Sequence, residues 1–174
     1  MKNVLFNISY NNKKSPVTFC CRAFLIVDTS VWGGHEDEEF EEWTVPFFEQ
    51  ARQGRFTIVL SDVTLRELIP APLNVKQLTE SIPDPFLELV SLTEEQDRLA
   101  QHYIQEGVLT PKYESDAQHI AIATILKVDS LVRWNFKHMV NFFRIKQYNS
   151  INLKFGYSII DIRTPKEIIY GNEN

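Results

Sequence analysis

Cysteine is nearly absent from this chain, and what there is cannot crosslink it. The 174 residues include two cysteines, Cys20 and Cys21, adjacent in sequence. Adjacent thiols cannot staple distant parts of a fold, which argues for a reducing compartment and against a secreted disulfide scaffold. Long apolar runs are missing as well. No stretch approaches the ~20 apolar residues of a bilayer-spanning helix, so no membrane role is expected. An apolar run follows Lys13 and Lys14, but Arg22 interrupts it and no small-residue cleavage site follows, which argues against a signal peptide. The expected location is cytoplasmic. An excess of basic charge is also lacking: the net charge is −5 and the pI near 5.4, so the average charge does not indicate a nucleic-acid ligand. Zinc-type spacing is absent, because His102, His119 and His138 form no ligand pair at a usual interval. Gly33-Gly34 belongs to no phosphate loop, since neither Gly-x-Gly-x-x-Gly nor a Walker lysine is present.

What remains is ordinary globular composition, 44% hydrophobic and 24% charged, in a length suited to one domain with a sizeable core. Residues 1 to about 18 are rich in Asn, Lys and Ser, and residues 1–22 read as a poorly ordered tail. A short strand, a disordered leader and an upstream extension all fit it. Residues 23–170 read as the domain. Its charge is uneven: Glu36, Asp37, Glu38, Glu39, Glu41, Glu42 and Glu49 face no nearby cation in sequence. In the last third Arg133, Lys137, Arg144, Lys146, Lys154, Arg163 and Lys166 outnumber the acids. Such a basic third can attract a polyanion, or be no more than a solvated face.

Strands and helices alternate in the pattern. Ala23–Val27 and Phe56–Leu60 are short continuous apolar runs, the signature of strands buried on both faces of a parallel sheet. Phe86–Leu92, Ser130–Arg133 and Tyr157–Ile162 are the other expected strands. Apolar residues at three- and four-residue steps predict a helix over Asp37–Gln53, with Pro46 a candidate kink and Gly54 closing it. Ser61-Asp62 can cap a helix through Leu68, Asn74–Ser81 reads as a short helix, and Thr93 with Gln96 forms a capping box for a helix through Gln105. Ser115 is expected to cap the next helix, and Phe136–Tyr148 has helical periodicity. The expectation is an α/β fold with three layers, α/β/α, around a mainly parallel sheet.

Parallel sheets of this kind place their ligand sites beyond the C-terminal strand ends. Three acids fall there: Asp28 after the first strand, Glu67 on the helix after the second, and Asp116 in the first turn of the helix before the fourth. Ionised and unpaired in a partly buried site, they would repel at a cost of several kcal/mol. A divalent cation removes that cost, and oxygen-only ligation suits Mg²⁺ or Mn²⁺. Taken singly, Asp28 is equally a turn or cap residue, Asp116 a helix-dipole acid and Glu67 a solvated one. His119 reads as a packing histidine, Asp129 as a turn residue and Glu114 as a helix-terminal acid. Trp43, Phe47 and Phe48 read as core, with a groove for a partner segment as the other reading.

Four words carry more than the single acids. Leu25-Ile26-Val27-Asp28-Thr29-Ser30-Val31-Trp32, Ser61-Asp62-Val63-Thr64-Leu65-Arg66-Glu67-Leu68, Asp116-Ala117-Gln118-His119-Ile120-Ala121-Ile122-Ala123 and Leu131-Val132-Arg133-Trp134-Asn135-Phe136-Lys137-His138 occur in that order. Together they resemble the PIN-domain nucleases, and closely the VapC-like toxins of type II toxin–antitoxin systems, over roughly residues 23–169. The resemblance implies a PIN-like fold and Mg²⁺- or Mn²⁺-dependent endoribonuclease activity on RNA. It also implies an antitoxin partner and, commonly, a homodimer. It implies that Asp28, Glu67 and Asp116 are catalytic metal ligands, with Ser30 supporting a metal-bound water. Where many members carry a fourth acid, this chain has Asn135, which offers a carbonyl oxygen without charge. Arg133, Lys137 and His138 around it are candidate RNA-phosphate contacts or exposed polar residues at a helix start.

Two functions of different class therefore stand open: a toxin endoribonuclease, and a catalytically impaired PIN module that binds antitoxin or RNA. A haloacid-dehalogenase-type phosphohydrolase needs a second Asp two residues after the first, and Ser30 occupies that place.

Overall fold

Among the described residues five short strands, paired in parallel, form the middle layer. The computed structural model describes residues 22–134 and 142–171. Its elements are β1 (Ala23–Val27), α1 (Thr29–Gly33), α2 (Glu41–Arg52), β2 (Phe56–Ser61), α3 (Asp62–Leu68), α4 (Leu73–Glu80) and β3 (Leu87–Val90). They continue with α5 (Glu94–Gln105), α6 (Glu114–Leu126), β4 (Ser130–Val132), α7 (Phe142–Lys154), β5 (Ile162–Arg163) and α8 (Pro165–Gly171). The strand order is β3-β2-β1-β4-β5. The chain winds outward from β1 through β2 to β3, then returns to lay β4 on the other side of β1. That reversal makes the C-terminal ends of β1 and β4 the switch point of the sheet, where α/β folds open a crevice.

Alternation along the strands divides two cores. Leu25 and Val27 of β1, Phe56, Ile58 and Leu60 of β2, and Val132 of β4 face one side. There they pack with Trp32, Phe47, Phe48, Ala51, Leu78 and Ile169 from α1, α2, α4 and α8. Ile26, Val59, Leu131 and Ile162 face the other side, against Leu99, Tyr103, Ile120 and Tyr148 of α5, α6 and α7. Both faces of β1 are thus buried, which is what its unbroken apolar run requires. The expected three-layer α/β/α arrangement is what the chain adopts. Among the described residues no helix is long and apolar enough to cross a membrane.

Local departures from the sequence expectation have identifiable causes. The second helix begins at Glu41 and not at Asp37, because Asp37 builds a turn: its side chain accepts from Glu39 N at 3.0 Å and its carbonyl accepts from Phe40 and Glu41. Pro46 lies inside α2 without ending it; Phe47 and Phe48, fully buried, hold this helix to the sheet. Ser115 is not the cap of α6. A 3-10 turn over Pro111–Tyr113 runs straight into the helix, which starts at Glu114.

The fifth strand is only Ile162–Arg163, paired to Leu131 and Val132, not Tyr157–Ile162. Upstream of it the backbone of Ile160 is satisfied by a side chain: Asn149 accepts from Ile160 N at 2.8 Å and donates to Ile160 O at 3.1 Å. Residues 136–141 of the expected helix Phe136–Tyr148 lie outside the described residues, and the rest is the start of α7, which continues to Lys154. Gly54 follows α2 at φ +72°, and a Cβ there would lie 2.5 Å from the Phe86 ring; only glycine meets both conditions.

Candidate active site

The site is assembled at the switch point from four elements. Asp28 directly follows β1 and is the N-cap of α1: its Oδ1 accepts from Ser30 N at 2.9 Å. The side chain is buried. Asp116 stands in the first turn of α6, and Glu67 near the end of α3, a helix capped by Ser61, whose Oγ accepts from Thr64 N at 3.2 Å. Arg133 follows β4, its backbone N donating to Arg163 O at 3.0 Å.

Arg133 ties Asp28 to Asp116. Its Nη2 donates to Asp116 Oδ1 at 2.8 Å and lies 3.7 Å from Asp28 Oδ2. The guanidinium is only 2% exposed, and its Nε and Nη1 have no hydrogen-bond partner among the described residues. Burial works against its charge, but the carboxylates of Asp28 and Asp116 outweigh burial and hold the proton more firmly than usual. Burial also pushes the Asp116 carboxyl up, against the pull of Arg133 and with the repulsion of Asp28. Even with the arginine in place, the acid pair remains short of positive charge.

Glu67 belongs to a second, adjoining pair. His119 Nε2 lies 3.0 Å from Glu67 Oε2, and Thr29 Oγ1 donates to the same oxygen. Burial pushes the Glu67 carboxyl up, but the hydrogen bond and charge of His119, with bonds from Thr29 and Ser115, bring it down to about 2. His119 is 1% exposed. Burial opposes its charge, and the bond to Glu67 with the nearby Asp28 raises its pKa above the ordinary value. Its Nδ1 has no partner among the described residues.

The sequence expectations meet this geometry unevenly. Asp28, Asp116 and Glu67 come to one edge of the sheet, but Glu67 is engaged by His119 and Thr29 while Asp28 and Asp116 share Arg133. Among the described residues no three acids, histidines or cysteines converge on one point. Ser30 is near, with its Oγ accepting from Trp134 N at 3.1 Å. Arg133, a candidate RNA-phosphate contact from sequence, points inward to the acids. Asn135, Lys137 and His138 lie outside the described residues. Asp129 sits at the opposite end of β4, bonded to Phe24 N at 2.8 Å. Glu114 accepts from Gln101 at 2.8 Å. Phe47 and Phe48 are core, and Trp43 packs on Tyr170. Thr29 and His119 were not marked as site residues by sequence. The available signal was that Thr29 adjoins Asp28 and that His119 lies three residues after Asp116, on the same face of α6.

The donor set suits a hard divalent cation in its chemistry. Asp28 and Asp116 offer carboxylate oxygens, and Asp28 Oδ2 lies 3.7 Å from Arg133 Nη2. A buried acid pair needs a counter-ion. Here a guanidinium meets that need in part, and a metal at this point would meet Arg133.

No family model matches the sequence, and no curated protein matches it. Among solved structures the chain is similar to a PilT N-terminus domain protein from the hyperthermophilic archaeon Sulfolobus solfataricus P2. The two are 13% identical, with 87% of this chain and 95% of the other covered and a TM-score of 0.49. It is also similar to VapBC2 from Rickettsia felis, solved bound to a DNA fragment from its promoter. That match has 14% identity, covers 81% of this chain and 98% of the other, and has a TM-score of 0.49.

Proposed function

We propose that the chain is a metal-dependent endoribonuclease that hydrolyses RNA phosphodiester bonds, and that it is the toxin of a toxin–antitoxin pair acting in the cytoplasm. One observation carries this reading: Asp28 and Asp116, distant in sequence, meet at the switch point of a parallel sheet on either side of the buried Arg133 guanidinium. The four ordered words that contain Asp28, Glu67, Asp116 and Asn135 support it.

In this reading Asp28 and Asp116 would hold Mg²⁺ or Mn²⁺, with Glu67 beside them. Such an ion would supply Lewis-acid polarisation of a phosphate oxygen and activation of the attacking water. The residues of the chain do the positioning. Ser30 N fixes the Asp28 carboxylate by its bond to Oδ1. Ser30 Oγ anchors the backbone of Trp134 where the chain leaves β4. His119 and Thr29 hold Glu67 in one rotamer. Asn135 completes the site with a neutral carbonyl oxygen, and Lys137 and His138 contact the RNA phosphates. An antitoxin segment covers this edge in the inactive complex, and the chain pairs as a homodimer.

The test is cleavage of total cellular RNA by purified protein with Mg²⁺ or Mn²⁺, beside Asp28→Asn and an EDTA control. Discrete fragments from the wild type alone, lost in EDTA, support the reading; the same fragments from Asp28→Asn overturn it.

A second reading, a PIN module that binds antitoxin or RNA without cutting, is favoured by the Arg133 ion pair, which already offsets part of the charge of Asp28 and Asp116. Absence of specific Mn²⁺ binding in calorimetry selects it.

A further inference from the structure

We infer that Arg133 and a divalent cation are alternative occupants of the space between Asp28 and Asp116, so that the chain carries its own counter-ion and metal must displace it. This rests on the proposed reading that the acid pair holds metal.

Three features of the arrangement lead here. The first is position. Nη2 of Arg133 stands 2.8 Å from one carboxylate and 3.7 Å from the other, between two groups that repel each other. A second cation placed against the same pair would lie beside a guanidinium in a poorly solvated site, where like charges repel strongly. Both cannot stay.

The second is incompleteness. A well-built buried arginine uses its five donors. Here Nε and Nη1 are buried with no partner among the described residues. The side chain is therefore held chiefly by the charge of Asp28 and Asp116, and a stronger cation can take its place without breaking a full hydrogen-bond network.

The third is the rigid backbone around it. Arg133 N is bonded to Arg163 O, Trp134 N to Ser30 Oγ, and Ser30 N to Asp28 Oδ1. Exchange therefore requires a rotation of the Arg133 side chain and not a rearrangement of the sheet. Two consequences follow. The metal-free protein tolerates the acid pair because the guanidinium offsets part of its charge. Its affinity for metal is weakened by the work of expelling the guanidinium.

The experiment is Mn²⁺ titration calorimetry, with thermal melts in EDTA and in Mn²⁺, on wild type, Arg133→Ser and Arg133→Met. The methionine variant keeps much of the side-chain volume without the charge. Expected are a wild-type melt that moves little between EDTA and Mn²⁺, and variants that melt lower in EDTA, recover in Mn²⁺, and bind Mn²⁺ about 10- to 100-fold more tightly. Unchanged Mn²⁺ affinity in both variants overturns the inference. So does failure of both to fold in Mn²⁺, because metal would then be no substitute for the guanidinium. The nuclease reading fails separately: tighter Mn²⁺ binding by the variants with no RNA cleavage by any form keeps the exchange and removes the activity. Wild-type cleavage with unchanged variant affinity does the reverse.

Discussion

Glu67 and His119 are 52 residues apart and meet at 3.0 Å, joining α3 to α6 beside the Asp28–Asp116 pair. His119 is buried and has no other hydrogen-bond partner among the described residues, so the contact depends on both helices being seated. His119→Ala removes the bond and leaves a cavity in the face of α6. The expected loss is on the order of 2–4 kcal/mol, read from urea denaturation, with a smaller loss for Glu67→Gln because Thr29 can still donate. A His119→Ala midpoint equal to wild type would show that the pair does not hold the helices.

The same pair sets a pH dependence in metal-free protein. The Glu67 carboxyl is lowered from 4.5 to about 2. Its contribution is therefore present above pH 4.5 and lost as pH falls toward 2. The His119 pKa is raised from 6.5, so its contribution is present below pH 6.5 and lost as pH rises through the folded value. The coupling between them, from a double-mutant cycle in EDTA, is expected to be greatest between pH 4.5 and 6.5 and to decline on both sides. A coupling that stays the same below pH 4.5 and above pH 6.5 as it is between them would exclude an ion pair.

Asp28 has a structural task as well as its proposed chemical one. As N-cap it accepts from Ser30 N. Asp28→Asn keeps an acceptor there, and Asp116 still pairs with Arg133. Cleavage is expected to vanish with the melting temperature near that of the wild type. Asp28→Ala loses the cap too and should cost about 1 kcal/mol more. Equal stability of the two variants would rule out the cap as a contributor.

Gly34 lies behind the β4 exit. A Cβ there would be 2.9 Å from the Trp134 ring and 3.1 Å from Thr44 Oγ1, whose hydroxyl accepts from Trp134 Nε1 at 2.9 Å. Gly34→Ala should displace the indole, break that bond and destabilise by about 1–3 kcal/mol. Shifted tryptophan fluorescence with a lowered melting temperature is the expected pair of readouts. Unchanged fluorescence would mean that Trp134 does not meet the new methyl.

Much of the frame could be read locally. The apolar runs of β1 and β2 require burial on both faces, and the Thr93–Gln96 capping box forms as its residue types predict. Helix α8 is marked in the same way, because Thr164-Pro165-Lys166-Glu167 is also a capping box: Thr164 Oγ1 accepts from Glu167 N at 3.1 Å and Glu167 Oε2 from Thr164 N at 2.8 Å. That signal was in the sequence. The short β5 was not, because only the tertiary position of Asn149 turns the Ile160 backbone away from the sheet.

The sequence by itself determined a parallel α/β sheet and the delivery of Asp28, Glu67 and Asp116 to one edge of it. Those features follow from short-range pattern: runs of apolar residues, caps, and the place of each acid at the end of its element. Only the tertiary structure decided which charges answer those acids. Arg133 faces Asp28 and Asp116 because β4 lies beside β1 in the strand order, and His119 faces Glu67 because α3 and α6 come together across the sheet end. Neighbours of that kind are set by the winding of the chain, and no local pattern records them.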